Sequence, residues 1–183
     1  MRIYKIGFDA KYQTLTYYNS DDYARFPSCA APAYQDTQVL SSILFCRLVP
    51  FRKQGDFRPL DPFLTCRDPV LARVADTLTR DAQIFPIKVD DEDEPSHLIY
   101  PTNQINAVDM EILAPRMAAQ GVKWIRAYEF RRAVFERPQL FIDPYFSGEV
   151  FCATDLGSPE RDFYVRYHDL GLTGAKFEHV WSG

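Results

Sequence analysis

No apolar stretch of this sequence is long. The best, Val39 to Phe51, is interrupted by Ser41, Ser42 and Arg47. A helix that spans a bilayer needs about 20 apolar residues in a row, so none is expected. Thirteen prolines are spread through the 183 residues, together with 14 Phe, 11 Tyr and 2 Trp. Proline ends helices and is excluded from central strand positions, while aromatic side chains favour strands. The pattern predicts many short strands and turns with few helices. A chain of this length suits one domain over residues 1–183 and can bury a core without disulfide or metal.

Charge is unevenly placed. The chain carries 21 Lys and Arg against 25 Asp and Glu, a net of −4. Five of the acids are consecutive, Asp90-Asp91-Glu92-Asp93-Glu94, and without them 21 bases face 20 acids, a net of +1. A near-neutral body argues against general nucleic-acid binding, which needs a basic surface to displace counterions. Lys5 and Asp9 interrupt the apolar core a secretory signal would need. The four cysteines (Cys29, Cys46, Cys66, Cys152) have no CxxC spacing. A cytoplasmic chain with reduced, buried cysteines is the expectation.

Alternation marks Arg2 to Phe8 as a strand, with Tyr12 to Tyr18 as its hairpin partner. Residues 19–36 read as loop, and Val39 to Val49 as strand or buried helix. Asp68 and Pro69 read as the N-cap and first residue of a helix carrying Val70, Leu71, Val74 and Leu78 on one face. Ile84 to Val89 and His97 to Tyr100 follow as strands. Val122 to Tyr128, Gln139 to Ile142 and Glu149 to Ala153 are further strand candidates. A second helix starts at Ser158-Pro159, shows an apolar stripe of Phe163, Tyr167 and Leu170, and ends at Gly171. Phe177, His179 and Trp181 alternate in a closing strand. These elements predict an α+β fold: a mostly antiparallel sheet with a few helices packed on one side.

The motifs of catalysis are missing. There are three histidines, His97, His168 and His179, and none accompanies a nucleophile signature. The eight glycines form no phosphate-binding pattern. The acidic run lacks the glycine and the ligand spacing of a calcium loop. It reads as a solvated loop or as an electrostatic contact for a basic partner. Arg126, Arg131, Arg132 and Arg137 interleave with Tyr128, Phe130 and Phe135, but Glu129 and Glu136 interrupt them, which fits a strand with one polar face. Tyr145-Phe146 beside Asp143-Pro144 is either a partner anchor or a turn that tucks into the core. No cofactor or metal is implied.

The segment His97-Leu98-Ile99-Tyr100-Pro101-Thr102-Asn103-Gln104-Ile105-Asn106-Ala107-Val108-Asp109-Met110-Glu111 resembles the central block of an immunity-protein family of bacterial polymorphic toxin systems, the immunity protein eleven type. Gly171-Leu172-Thr173-Gly174-Ala175-Lys176-Phe177 through Trp181 is similar to that family's closing turn and strand. The resemblance covers roughly residues 80–181. Asn106 and Asp109 are suited to organise a turn, and the two glycines around Leu172-Thr173 to end a helix and re-enter a strand. The resemblance implies a non-enzymatic protein that binds a cognate toxin, with nucleases among the expected targets, and blocks it by occlusion. On that reading the toxin contacts are Asp90, Asp91, Glu92, Asp93 and Glu94, then Tyr145 and Phe146. The competing expectation is a small enzyme or ligand-binding domain assembled around His97, His168 and Asp109.

Overall fold

The computed structural model describes residues 1–17, 44–49, 52–60, 63–90, 92–146 and 148–183. In chain order its elements are β1 (Arg2–Phe8), β2 (Thr14–Tyr17), β3 (Leu44–Val49), β4 (Phe57–Leu60), β5 (Phe63–Arg67) and α1 (Asp68–Leu78). There follow β6 (Ala82–Val89), β7 (Ser96–Pro101), α2 (Met110–Gln120), β8 (Gln139–Ile142), β9 (Val150–Thr154), α3 (Phe163–Asp169) and β10 (Ala175–Ser182). Four strands form one sheet in the order β10-β1-β9-β8, and six form another in the order β2-β3-β6-β7-β5-β4. Among the described strands only β3 and β6 pair in parallel. The fold is α+β and antiparallel-dominated, as the alternation predicts, with two sheets where one was expected.

The four-stranded sheet is apolar on both faces because its strands alternate between two cores. Val150 and Cys152 of β9, Leu140 and Ile142 of β8, and Ile6 of β1 join a cluster shared with the six-stranded sheet, α1 and α3. Their neighbours Phe151, Ala153, Phe141 and Ile3 point into a second cluster. A side-chain period of two makes this sorting automatic. The second cluster is dominated by phenylalanine: Phe130 meets Phe141 edge-on at 6.0 Å, and Phe135 meets it at 5.1 Å. Edge-to-face packing of this kind adds to plain area burial.

The helices divide between the two cores. Val70, Val74 and Leu78 of α1 and Phe163 and Tyr167 of α3 fill the shared cluster. Leu113 of α2 belongs to the other, so the helices do not all lie on one side. Helix α2 itself was not foreseen. Asp68 is the first residue of α1 rather than its cap; Arg67 holds the cap position without a side-chain bond. The Asp68 carboxylate pairs with His97 instead. Before α3, Pro159–Arg161 form a 3-10 turn, and Asp162 caps the helix through Val165 N.

Three other expectations fail for physical reasons. The hairpin between the first two strands does not form, because both edges of β1 are taken by β10 and β9. Strand β2 joins the other sheet and pairs with β3, from Thr14 opposite Val49 to Tyr17 opposite Cys46. No strand spans 122–128 or 126–137. The latter holds a 3-10 turn at Arg132–Val134 and one bridge between Val108 and Phe130. The loop read over 19–36, and residues 39–43, lie outside the described residues.

One buried carboxylate joins the parts. Asp81, 1% exposed, sits between α1 and β6. It accepts from Arg137 Nη1 and Nη2 at 3.1 and 2.6 Å and from Leu140 N of β8 at 3.1 Å. Its backbone oxygen accepts from Thr102 N and Asn103 N. Gly171 and Gly174 carry the chain from α3 into β10 with φ of 62° and 100°. The Gly174 backbone lies so close to β4 that an added Cβ would stand 1.8 Å from Phe57 O; at Gly171 nothing lies within 4 Å.

Two stability predictions follow from these contacts. Asp81→Ala leaves the Arg137 guanidinium and the Leu140 N–H without their acceptor. It is expected to cost about 3 kcal/mol in urea unfolding. Gly171→Ala is expected to cost about 1 kcal/mol, the left-handed penalty alone. Gly174→Ala adds a backbone clash and is expected to cost about 3 kcal/mol or more. Equal costs at the two glycines would contradict the close approach to β4.

Candidate interaction surface

The acidic run is drawn into the fold by arginines from three neighbouring strands. Asp90 lies 3.9 Å from Arg47 Nε of β3. Glu92 pairs with Arg58 of β4, which is fully buried and also donates to Ser96 Oγ at 2.8 Å. Glu94 accepts from Arg67 of β5 at 2.7 Å. Asp93 is exposed and has no ion pair among the described residues, and Asp91 lies outside them. Arg58 Nε, Arg67 Nε and Glu92 Oε2 are buried without a hydrogen-bond partner among the described residues. A charge so enclosed is costly to strip of its counter-ion. The run therefore secures the β6–β7 connection to the sheet, and Asp93 remains its free charge among the described acids.

Tyr145 and Phe146, adjacent in sequence, have opposite fates. Phe146 is 3% exposed and sits in the second core against Phe151. Tyr145 is half-buried, and its hydroxyl donates to Ile125 O at 2.9 Å and accepts from Ile125 N at 3.2 Å. The ring of Trp124 stacks on it at 5.9 Å. These bonds hold residues 122–128 in place of strand pairing. Arg126 adds an ion pair to Glu149, and the Tyr128 hydroxyl donates to the same carboxylate at 3.0 Å.

Helix α2 exists because both its ends are capped. Asp109 Oδ1 accepts from Glu111 N and Ile112 N at 3.0 and 3.4 Å. Gly121 takes φ 64°, and Val122 N closes on Met117 O at 3.1 Å. Such a cap is worth about 1 kcal/mol. Pro115 removes one bond from the helix interior, and of its eleven residues only Leu113 is buried. The rest form an exposed ridge. Of the six exposed large apolar side chains among the described residues, Met110, Ile112, Val122 and Trp124 lie on α2 or just after it.

Beside this ridge is a groove of about 460 Å³. Val108, Met110, Pro144 and Tyr145 supply apolar walls, while Asp109, Glu111, Asp143 and Arg131 bring charge. Asp143 is 3% exposed and spends its oxygens on Ala107 N, Val108 N and Tyr145 N. Arg131 donates to Asn106 O. Three carboxylates against one guanidinium leave the groove negative. Sequence reasoning found Tyr145 and Asp109 but missed Met110, Ile112 and Trp124. The signal for them was Asp109 and Gly121, a cap residue and a terminator set one helix length apart.

The histidines are not gathered into one site. His97 pairs with Asp68, His179 with Ser182 Oγ at 2.8 Å, and His168 packs against Tyr164 at 4.5 Å. Asp109 contacts none of them, being engaged as the α2 cap. Burial pushes the Cys66 thiol up to about 12 and that of Cys152 well above its usual value. Neither is a thiolate at neutral pH, so neither is an activated nucleophile. Among the described residues no three His, Cys, Asp or Glu side chains are grouped to hold a metal, and no helix is long and apolar enough to cross a membrane. Comparison with protein-family models, curated proteins and solved structures finds no match for this chain.

The different settings of the acids are testable by stability alone. Glu92→Gln, which leaves Arg58 buried without its counter-ion, is expected to cost about 3 kcal/mol. Asp93→Asn is expected to stay within about 0.5 kcal/mol of wild type. Matching urea midpoints for the two variants would contradict the placement of this run.

Proposed function

We propose that this chain is a cytoplasmic immunity protein that binds a cognate bacterial toxin domain and blocks it by occlusion, with no catalysis of its own. The resemblance over residues 80–181 suggests the class. The observation that carries the contact site is the groove beside α2: apolar walls with an excess of carboxylates, next to an exposed ridge bearing Met110, Ile112 and Trp124. Its occupant is a toxin surface that presents a Lys or Arg beside an apolar side chain. Charge of this sign suits the basic substrate groove of a nuclease. Tyr145 forms the groove wall and Asp93 adds a free charge elsewhere on the surface. Asp90, Glu92 and Glu94 act at one remove, by fixing the β6–β7 connection.

The reading is tested by co-purifying the chain with the product of its neighbouring toxin gene and by growth rescue on co-expression. A complex with rescue is expected. Trp124→Ala is expected to weaken it roughly thirtyfold, as loss of a central aromatic anchor does, and Glu111→Arg to slow association. Both side chains are exposed, so the fold should persist. Failure to bind or rescue would remove the immunity reading. Wild-type affinity in both variants would remove the groove from the interface.

A further inference from the structure

A second concavity, of about 470 Å³, lies where the end of α1 meets the turn before α3. It shares no residue with the groove at α2. Three arginines line it: Arg80 from the turn after α1, Arg161 from the 3-10 turn, and Arg166 from α3. Arg166 Nη2 is held by Asp76 Oδ2 and by Glu160 O, both at 3.1 Å. Arg80 and Arg161 are exposed, and neither side chain has a hydrogen bond or ion pair among the described residues. Two acids, Asp76 and Glu160, complete the charged lining, so the cleft carries +1 on a chain whose net charge is −4.

The plain explanation of an arginine after a helix is that it faces the negative C-terminal end of the helix. That accounts for Arg80, and the bonds to Asp76 and Glu160 O account for Arg166, but neither accounts for Arg161, which comes from the other side. The frame is firm: Thr77 and Leu78 behind one wall and Phe163 and Tyr167 behind the other are buried. Arg80 and Arg161 thus bring positive charge, without an ion pair among the described residues, to a space large enough for a small ligand. Elsewhere in this protein a carboxylate is satisfied by a single arginine, as Asp81 is by Arg137. Three guanidiniums arriving from different elements suit a group with more oxygens and more charge.

We propose that this cleft binds the phosphoryl group of a small phosphorylated ligand, with Arg161 and Arg80 as the free donors and Arg166 as the anchored one. Arginine presents its N–H groups to phosphate in pairs, and such charge-assisted bonds are the strong ones. Glu160 opposes the ligand and sets a ceiling on its affinity. The proposal does not depend on the toxin-binding reading.

The test is a titration of the folded chain with inorganic pyrophosphate at low ionic strength, read by the guanidinium Nε–Hε resonances in NMR. Saturable shifts confined to Arg80, Arg161 and Arg166 are expected. The double variant Arg80→Ala/Arg161→Ala is expected to lose roughly tenfold or more in affinity, while Arg52→Ala, exposed elsewhere, should bind as wild type does. The Glu160 side chain makes no hydrogen bond among the described residues, and Glu160→Gln should bind more tightly. Unsaturable shifts over all exposed arginines, or wild-type binding by the double variant, would overturn the site. Equal affinity for citrate would overturn its assignment to phosphoryl groups.

Discussion

The structure hinges on the carboxylate of Asp81. It is buried, yet every approach to it is a donor: the two ends of the Arg137 guanidinium and the N–H of Leu140, with Asn103 Nδ2 at 3.4 Å. A lone buried carboxylate would be expelled or neutralised; one so surrounded becomes a fixed point. Because Asp81 immediately precedes β6 of the six-stranded sheet and Leu140 lies in β8 of the other, this fixed point ties the two sheets together. Both faces of β8 and β9 then find apolar partners, and the second core can form behind them.

That second core explains why α2 can be so exposed. The phenylalanine cluster closes over the sheet with Leu113 as the helix's one buried contribution. The helix is kept by its caps and by the Tyr145 hydroxyl behind it rather than by an apolar face of its own. An exposed apolar ridge beside a negative groove has the character of an interaction surface, and the proposed contact is placed there for that reason. The acidic run shows the opposite economy. It resembles a free electrostatic patch in one dimension, but Arg47, Arg58 and Arg67 convert most of it into structure.

Local rules read this chain well where neighbours in sequence decide the outcome. Helix α1, the stripe of α3, Gly171 with Gly174, the short strands β7, β8 and β9, and the alternation of β10 were all legible, because each depends on propensity, turn chemistry or a period of two. The acidic run, the Arg126–Arg137 segment and the pair Tyr145-Phe146 were ambiguous for one reason. Each admits an exposed and a buried reading, and the choice depends on what lies across from it.

The sequence by itself determined a short-stranded α+β chain without a known catalytic signature, since these follow from composition, spacing and turn chemistry. Only the tertiary structure decided that β2 leaves β1 for β3, that Phe146 is core while Tyr145 is half-buried at a groove wall, that the acids meet arginines from three strands, and that Arg80, Arg161 and Arg166 line one cleft. Those outcomes depend on long-range pairing: a strand has two edges and a charge finds whichever partner the fold brings near. Neither fact is written in the residues on either side.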